Sequence, residues 1–306
     1  MEEEKPESIE DLKAELATYI GLENIKQEVS NLINMATVYK LRREHELPTV
    51  DMSLHMVFSG NPGTGKTMIA RLMGRIYKSL GILSKGQLVE VDRSQLVAGY
   101  VGQTAIKTAE VIEKAKGGVL FIDEAYSLTD KDGNDFGDEA IETILKAMED
   151  NRDDLVVIVA GYIELMEDFI NSNPGLESRF NRYLHFDDYT LDEMLQIFEM
   201  QCKKGCYTMD DEAKAAVKEY IRTESEADDN FGNARGVRNC FENVLVEQNN
   251  RLAAMENITK EDLMQIKAID IKKASGTAEE ITQEAAVEKM PQQKPRQTNN
   301  KTIWSC

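Results

Sequence analysis

The sequence predicts an α/β fold, a parallel sheet covered by helices on both faces and followed by a small all-helical unit. Three observations predict it. Short apolar runs alternate with helix-length amphipathic stretches through the first two thirds of the chain. A glycine-rich loop joins one such run to the helix behind it. After about Asp188 the strand-like runs stop and helical spacing takes over. Buried parallel strands need crossover connections, and helices of this length supply them.

Residues 1–18 are acidic and read as a helix, with Ser8 and Asp11 placed as a capping pair. From 23 to about 45, Ile25, Val29, Leu32, Ile33 and Ala36 recur at helical spacing. MVFSG (56–60) is a short apolar run ending in glycine, hence a buried strand, and 68–80 is helix. LVEV (88–91), VLFID (119–123), LVVIVAG (155–161) and YLHF (183–186) read as further strands, with helices over 105–116 and 138–150. Four helical segments follow: one opened by the box-like pair Thr190 and Glu193, one by Asp210, one over 234–255, and one from Thr259. Beyond Ala274 the chain turns polar, with MPQQKPRQTNNK, and is expected to be disordered. The expected divisions are therefore 1–18, an acidic segment; 19–188, the α/β domain; 189–273, the helical domain; and 274–306, the tail.

Composition excludes several classes. The chain has 306 residues, 42% of them apolar, enough for two cores. No apolar run approaches the roughly 18 residues that a membrane span needs. The acidic start MEEEKPESIEDLK is unlike a secretory leader, so the cytoplasm is the expected address. A net charge of −19 argues against gripping a phosphate backbone and favours protein or small-molecule partners, so neither nucleic acid nor membrane is expected. Cys202, Cys206, Cys240 and Cys306 are scattered, with no neighbouring histidine to suggest a metal site, and read as ordinary thiols.

Gly60-Asn61-Pro62-Gly63-Thr64-Gly65-Lys66-Thr67 fits G-x-x-x-x-G-K-[ST] in full, between a strand and a helix, with Met68 next in line. Glycines let successive N–H groups turn inward on a phosphate lying at a helix N-terminus. In such a loop Lys66 reaches the terminal phosphates and the Thr67 hydroxyl ligates Mg²⁺. The second half of the site is Gly118-Val119-Leu120-Phe121-Ile122-Asp123-Glu124. The buried strand delivers Asp123 to its C-terminal end, where ligands bind in open α/β sheets. Asp123 is the candidate Mg²⁺ holder, through water, and Glu124 the candidate general base.

Together with the stretches GLENIKQEV, FSGNPGTGKT, GGVLFIDEAYSL, NPGLESRF and FGNARGVRN, these motifs resemble the AAA+ superfamily, in its CbbX and stage V sporulation protein K branch. The resemblance covers roughly residues 10–270. It implies Mg²⁺-dependent ATP hydrolysis by a homo-oligomeric ring, six subunits being the family's habit. It assigns Ile20-Gly21-Leu22 to the adenine, with Gly21 and Leu22 as contacts. It assigns Arg179, within Ser178-Arg179-Phe180-Asn181-Arg182, to an arginine finger reaching the neighbouring subunit's γ-phosphate, and Arg182 to a second finger. A head-to-tail ring is the usual way to supply an arginine in trans. In Gly232-Asn233-Ala234-Arg235-Gly236-Val237-Arg238 the resemblance makes Arg235 a sensor of the γ-phosphate from the same subunit, with Arg238 on nearly the same helix face. The chain departs from many relatives at Ala160-Gly161-Tyr162, where a Thr or Asn sensor is usual; Tyr162 is expected to pack under the site.

Gly99-Tyr100-Val101-Gly102, on a loop after the second strand, matches the pore loop of peptide-threading rings: Tyr100 and Val101 would grip an extended chain, and Gly102 would let the loop swing. A second loop, Thr129 to Asp135, is acidic and could face the pore or simply solvent. Three function classes stay open on these residues: a protein-remodelling ATPase, an ATP-dependent nucleic-acid loader or initiator, and an ATP-switched scaffold. The loader would want basic pore loops or an added DNA-reading module, and neither is visible.

Overall fold

The computed structural model describes residues 7–48, 53–100, 102–129 and 136–277. Val101, most of the acidic loop (130–135) and nearly all of the expected tail (278–306) lie outside them. The chain opens with α1 (Ile9–Thr18), capped by Ser8, whose side chain accepts from the Asp11 N–H, and α2 (Glu23–Glu44). Then come β1 (Met56–Gly60), α3 (Lys66–Ser79), β2 (Leu88–Val91), the short α4 (Arg93–Leu96) and α5 (Thr104–Ala115). β3 (Val119–Ile122), α6 (Gly137–Asp150), β4 (Val156–Gly161), α7 (Ile163–Asn171), α8 (Pro174–Arg179) and β5 (Tyr183–Phe186) complete the sheet region.

The five strands are all parallel, in the order β2-β3-β4-β1-β5. Successive side chains point to opposite faces, and the core divides accordingly. Met56, Phe58, Phe121 and Ile158 face α3 (Ile69, Met73, Ile76) and, behind it, Leu12 and Leu16 of α1 and Val29 and Ile33 of α2. Val57, Leu120, Ile122, Val157 and Val159 face α5, α6 and α7 through Ile112, Ile144 and Phe169. The α/β sheet with helices on both faces is thus as expected. Residues 7–18 of the acidic segment are fastened to the core: Arg75 of α3 binds Glu7 at 2.6 Å and Glu15 at 2.7 Å.

The second unit comprises α9 (Leu191–Lys204), β6 (Thr208–Met209), α10 (Asp211–Ala227), α11 (Ala234–Ala253), α12 (Lys260–Met264), β7 (Gln265–Ile266) and α13 (Ala268–Ala274). Thr190 and Glu193 form the full capping box on α9, and Asp210 caps α10. It differs from the sequence reading in one place. The segment expected to start a single helix at Thr259 is split by β7, which pairs in parallel with β6 over two residues. The split follows from a buried ion pair: Arg251 of α11 holds Asp270 of α13 through Nε–Oδ1 at 2.7 Å, and its Nη2 donates to the Gln265 carbonyl at 3.0 Å. No helix among the described residues is long and apolar enough to cross a membrane.

Candidate functional site

The sheet order puts three strand ends side by side. β4 lies between β1 and β3, with Ser59 opposite Gly161 and Ile122 opposite Val159. The glycine-rich loop after β1, the Asp123-Glu124 pair after β3 and Tyr162 after β4 therefore converge. They enclose a cleft of about 320 Å³, lined by Lys66, Thr67, Asp123, Glu124, Tyr162 and Arg235 among others. Gly60, Pro62, Gly63, Gly65 and Met68 complete its wall. Asn61 and Thr64 belong to the same loop but face elsewhere: Asn61 donates to the Asp188 carboxylate at 2.9 Å, and the buried Thr64 hydroxyl donates to the Asn61 carbonyl at 2.8 Å.

The loop's backbone is dictated by what touches it. Gly63 (φ +74) has the Gly232 carbonyl oxygen 2.1 Å from where a Cβ would stand, and Gly60 (φ +143) has that of Phe186 at 2.3 Å. Only glycine fits such approaches. Lys66 Nζ donates to the carbonyls of Gly60 at 2.7 Å and Asn61 at 2.8 Å. Burial pulls its ammonium below the usual lysine range, while Asp123 opposes that shift. The Thr67 hydroxyl donates to Glu90 at 3.3 Å, a β2 carboxylate that the motif reading missed. The N–H of Glu124 donates to the Asp123 carboxylate at 3.1 Å. Glu124 itself sits at φ +49, which lifts its exposed side chain off the strand end.

Arg235 is brought into the cleft from the second unit; Arg238 is not, and pairs with Glu242 at 2.9 Å. Tyr162 both lines the cleft and packs on Tyr126, ring centroids 6.2 Å apart. Gly21 and Leu22 stand apart from that cleft. Leu22 is buried with its Cδ1 near Gly65, and it lines a separate recess with Tyr189, Thr190 and Glu193.

The two candidate fingers part company. Arg179 ends α8 outside the cleft, with 30% of its side chain exposed and Nη2 3.6 Å from Glu149. Arg182 turns inward: its Nε donates to the Ser53 carbonyl at 3.2 Å and its Nη2 contacts the Met35 sulfur at 3.6 Å. Its guanidinium fastens β5 to α2, a placement that does not suit a finger held out to a neighbour.

The loop carrying Tyr100 follows α4 rather than β2 directly. Its base is fastened, since the Thr104 hydroxyl accepts from the Ala98 N–H at 3.0 Å and Lys107 Nζ donates to the Val97 carbonyl at 2.9 Å. Its tip is free: Tyr100 is 74% exposed, and Gly102 (φ +77) borders open space.

Comparison with known proteins gives a consistent result. Residues 56–188 match the ATPase family associated with various cellular activities (AAA), and 190–281 match the AAA lid domain. A CfxQ homolog of Galdieria sulphuraria is 44% identical over 84% of this chain and 85% of its own. Stage V sporulation protein K of Bacillus subtilis is 39% identical over 88% of this chain and 85% of its own. The chloroplastic ribulose bisphosphate carboxylase/oxygenase activase of Cyanidioschyzon merolae is 44% identical over 88% and 91%. Among solved structures, the FIGL-1 AAA domain superimposes with a TM-score of 0.58 at 18% identity, covering 90% of this chain and 88% of that one, a likeness of fold alone. Identity of this order, sustained across sheet and lid together, establishes that the chain belongs to the CbbX and stage V sporulation protein K family of AAA+ ATPases.

Proposed function

We propose that this chain is a Mg²⁺-dependent ATPase that assembles head-to-tail into a ring, six-membered by family habit, in the cytoplasm. We infer that it remodels a protein client gripped by Tyr100, with Val101 and Gly102 completing the gripping loop. The observation that carries the remodelling reading is the exposed Tyr100 on a loop with a fastened base. An aromatic held out on a loop with a fastened base can grip an extended chain by apolar contact without reading its sequence. That one relative is named an activase of another enzyme supports a protein client.

In this reading Lys66 and the N–H groups of 60–68 take the phosphates, and the Leu22 side of the loop takes the adenine. Thr67 and Asp123 offer a hydroxyl and a carboxylate at the cleft, an all-oxygen set suited to an ion that keeps several waters. The ion supplies charge neutralisation of the phosphates. Glu124 accepts a proton from the attacking water, Arg235 reaches the terminal phosphate from the lid, and Arg179 reaches that of the neighbour. The inward Arg182 is left with a structural role.

The test is a substrate trap. Glu124→Gln protein loaded with ATP is used to capture partners, beside Glu124→Gln/Tyr100→Ala. A protein retained only when Tyr100 is present supports a gripping remodeler. Equal retention by both, or retention of nucleic acid alone, would overturn it in favour of a scaffold or a loader.

A further inference from the structure

Asn233 occupies a backbone conformation that its side chain alone can justify. It stands at φ 52, ψ −124, at the N-cap of α11 and two residues before Arg235. A non-glycine residue in that region carries strain and persists only where its surroundings over-determine it. Here they do. Asn233 is 6% exposed. Its Oδ1 accepts from the Tyr189 N–H at 2.9 Å, and its Nδ2 donates to Asp188 Oδ1 at 2.8 Å and to the Pro62 carbonyl at 3.3 Å. One side chain thus bonds the hinge (188–189) and the phosphate loop from the lid.

Asp188 is the shared acceptor. Its carboxylate also takes the Asn61 amide at 2.9 Å, so the phosphate loop and the lid hang from the same hinge residue. The backbone repeats the arrangement: the Ala234 N–H donates to the Gly63 carbonyl at 3.3 Å. Helix α11 therefore rests its first turn on the phosphate loop, and any turn of the lid must drag or break these bonds.

We propose that Asn233, through Asp188 and Pro62, is a positioning residue that sets Arg235 over the nucleotide and transmits the state of the phosphate loop to the lid. This rests on the reading of the cleft as the ATP site. Asn233 is not part of the cleft wall that holds Arg235, and its role runs through Arg235 and through the hinge.

The experiment is a double-mutant cycle with Asn233→Gly and Arg235→Ala, read by ATPase kinetics and by amide hydrogen exchange at Tyr189 and Ala234. Glycine tolerates the backbone conformation, so the fold is kept while the side-chain bonds are lost. Expected is a loss in kcat of about tenfold or more with KM nearly unchanged, and strong non-additivity with Arg235→Ala. Exchange at both amides should become fast and lose its response to ATP. Additive losses, normal turnover or unchanged exchange would each overturn the assignment. If Asn233→Gly does not fold, Asp188→Asn/Asn233→Asp decides, because it restores the 188–233 bond with donor and acceptor exchanged. Recovery above both single variants supports the role, and none refutes it. Should the unmodified protein neither bind nor hydrolyse ATP, the functional reading fails instead, and exchange at Tyr189 still judges the Asn233 contact.

Discussion

His55 should make this protein lose stability on mild acidification, through one identifiable group. It lies immediately before β1, buried at 6% exposure, and its Nδ1 accepts from the Val157 N–H at 3.0 Å. That bond requires the unprotonated nitrogen. Burial, with the nearby Arg179 charge adding to it, holds the imidazole pKa down from 6.5 to about 4. A displacement of that size is worth about 3 kcal/mol. Because the folded value is depressed, the contribution is whole above pH 6.5, erodes as pH falls, and is gone by about pH 4. Between pH 6.5 and 5 the loss from this group alone is roughly 1.5 kcal/mol, a large share of the 5–15 kcal/mol typical of a domain. Carboxylates enter only lower. The assay is urea unfolding at pH 7.5, 6.5, 5.5 and 5.0, beside His55→Asn, whose Oδ1 stands where Nδ1 did and can accept from Val157 but does not titrate. The wild-type midpoint should fall through the window while that of His55→Asn stays level. Parallel curves would refute the reasoning. Arg179→Met should make the wild-type loss smaller, because removing the second cause lets the folded pKa rise towards 6.5.

Two other predictions rest on single contacts. Gly63→Ala should lower the melting temperature and abolish nucleotide binding, measured by fluorescent-ATP titration, because it strains a φ of +74 and its methyl meets the Gly232 carbonyl, pushing lid from loop. Arg251→Met should cost about 3–5 kcal/mol in urea unfolding of the lid, since it strands the fully buried Asp270 carboxylate. The double variant Arg251→Met/Asp270→Leu should recover much of that loss, because it leaves no charge unpaired.

What the sequence made legible was whatever one short segment can encode. β1 and β3 announced themselves as apolar runs, and Lys66, Thr67, Asp123 and Glu124 as residues at motif spacing, because each is placed by its own strand end or helix start. The rest depends on partners far along the chain. Asn233 lies 171 residues from Pro62 and 45 from Asp188, and nothing in the Gly232-Asn233-Ala234-Arg235 string reveals that its amide faces them. Glu90 reads as an outward residue of an edge strand until α3 brings Thr67 beside it. Arg182 shares a motif with Arg179, yet one turns toward Ser53 and the other stays at the end of α8. Spacing fixes which residues are candidates; burial of neighbouring elements decides where their heads point.

The distribution of backbone strain argues that the hinge and the cleft form one device. Among the described residues, Leu22, Glu46, Glu124, Cys206 and Asn233 are the non-glycine positions with positive φ. Three of the five border the phosphate loop or its cleft: Leu22 behind Gly65, Glu124 at the mouth, Asn233 above Pro62. Each costs on the order of 1–3 kcal/mol and survives because packing or hydrogen bonds fix it. For Asn233 those bonds run to the parts that must move relative to one another when the lid turns. Strain held by bonds that motion would break is released by that motion, which offsets part of the cost of turning the lid. Arg235, on the helix so held, reaches the cleft from where those same few bonds place it.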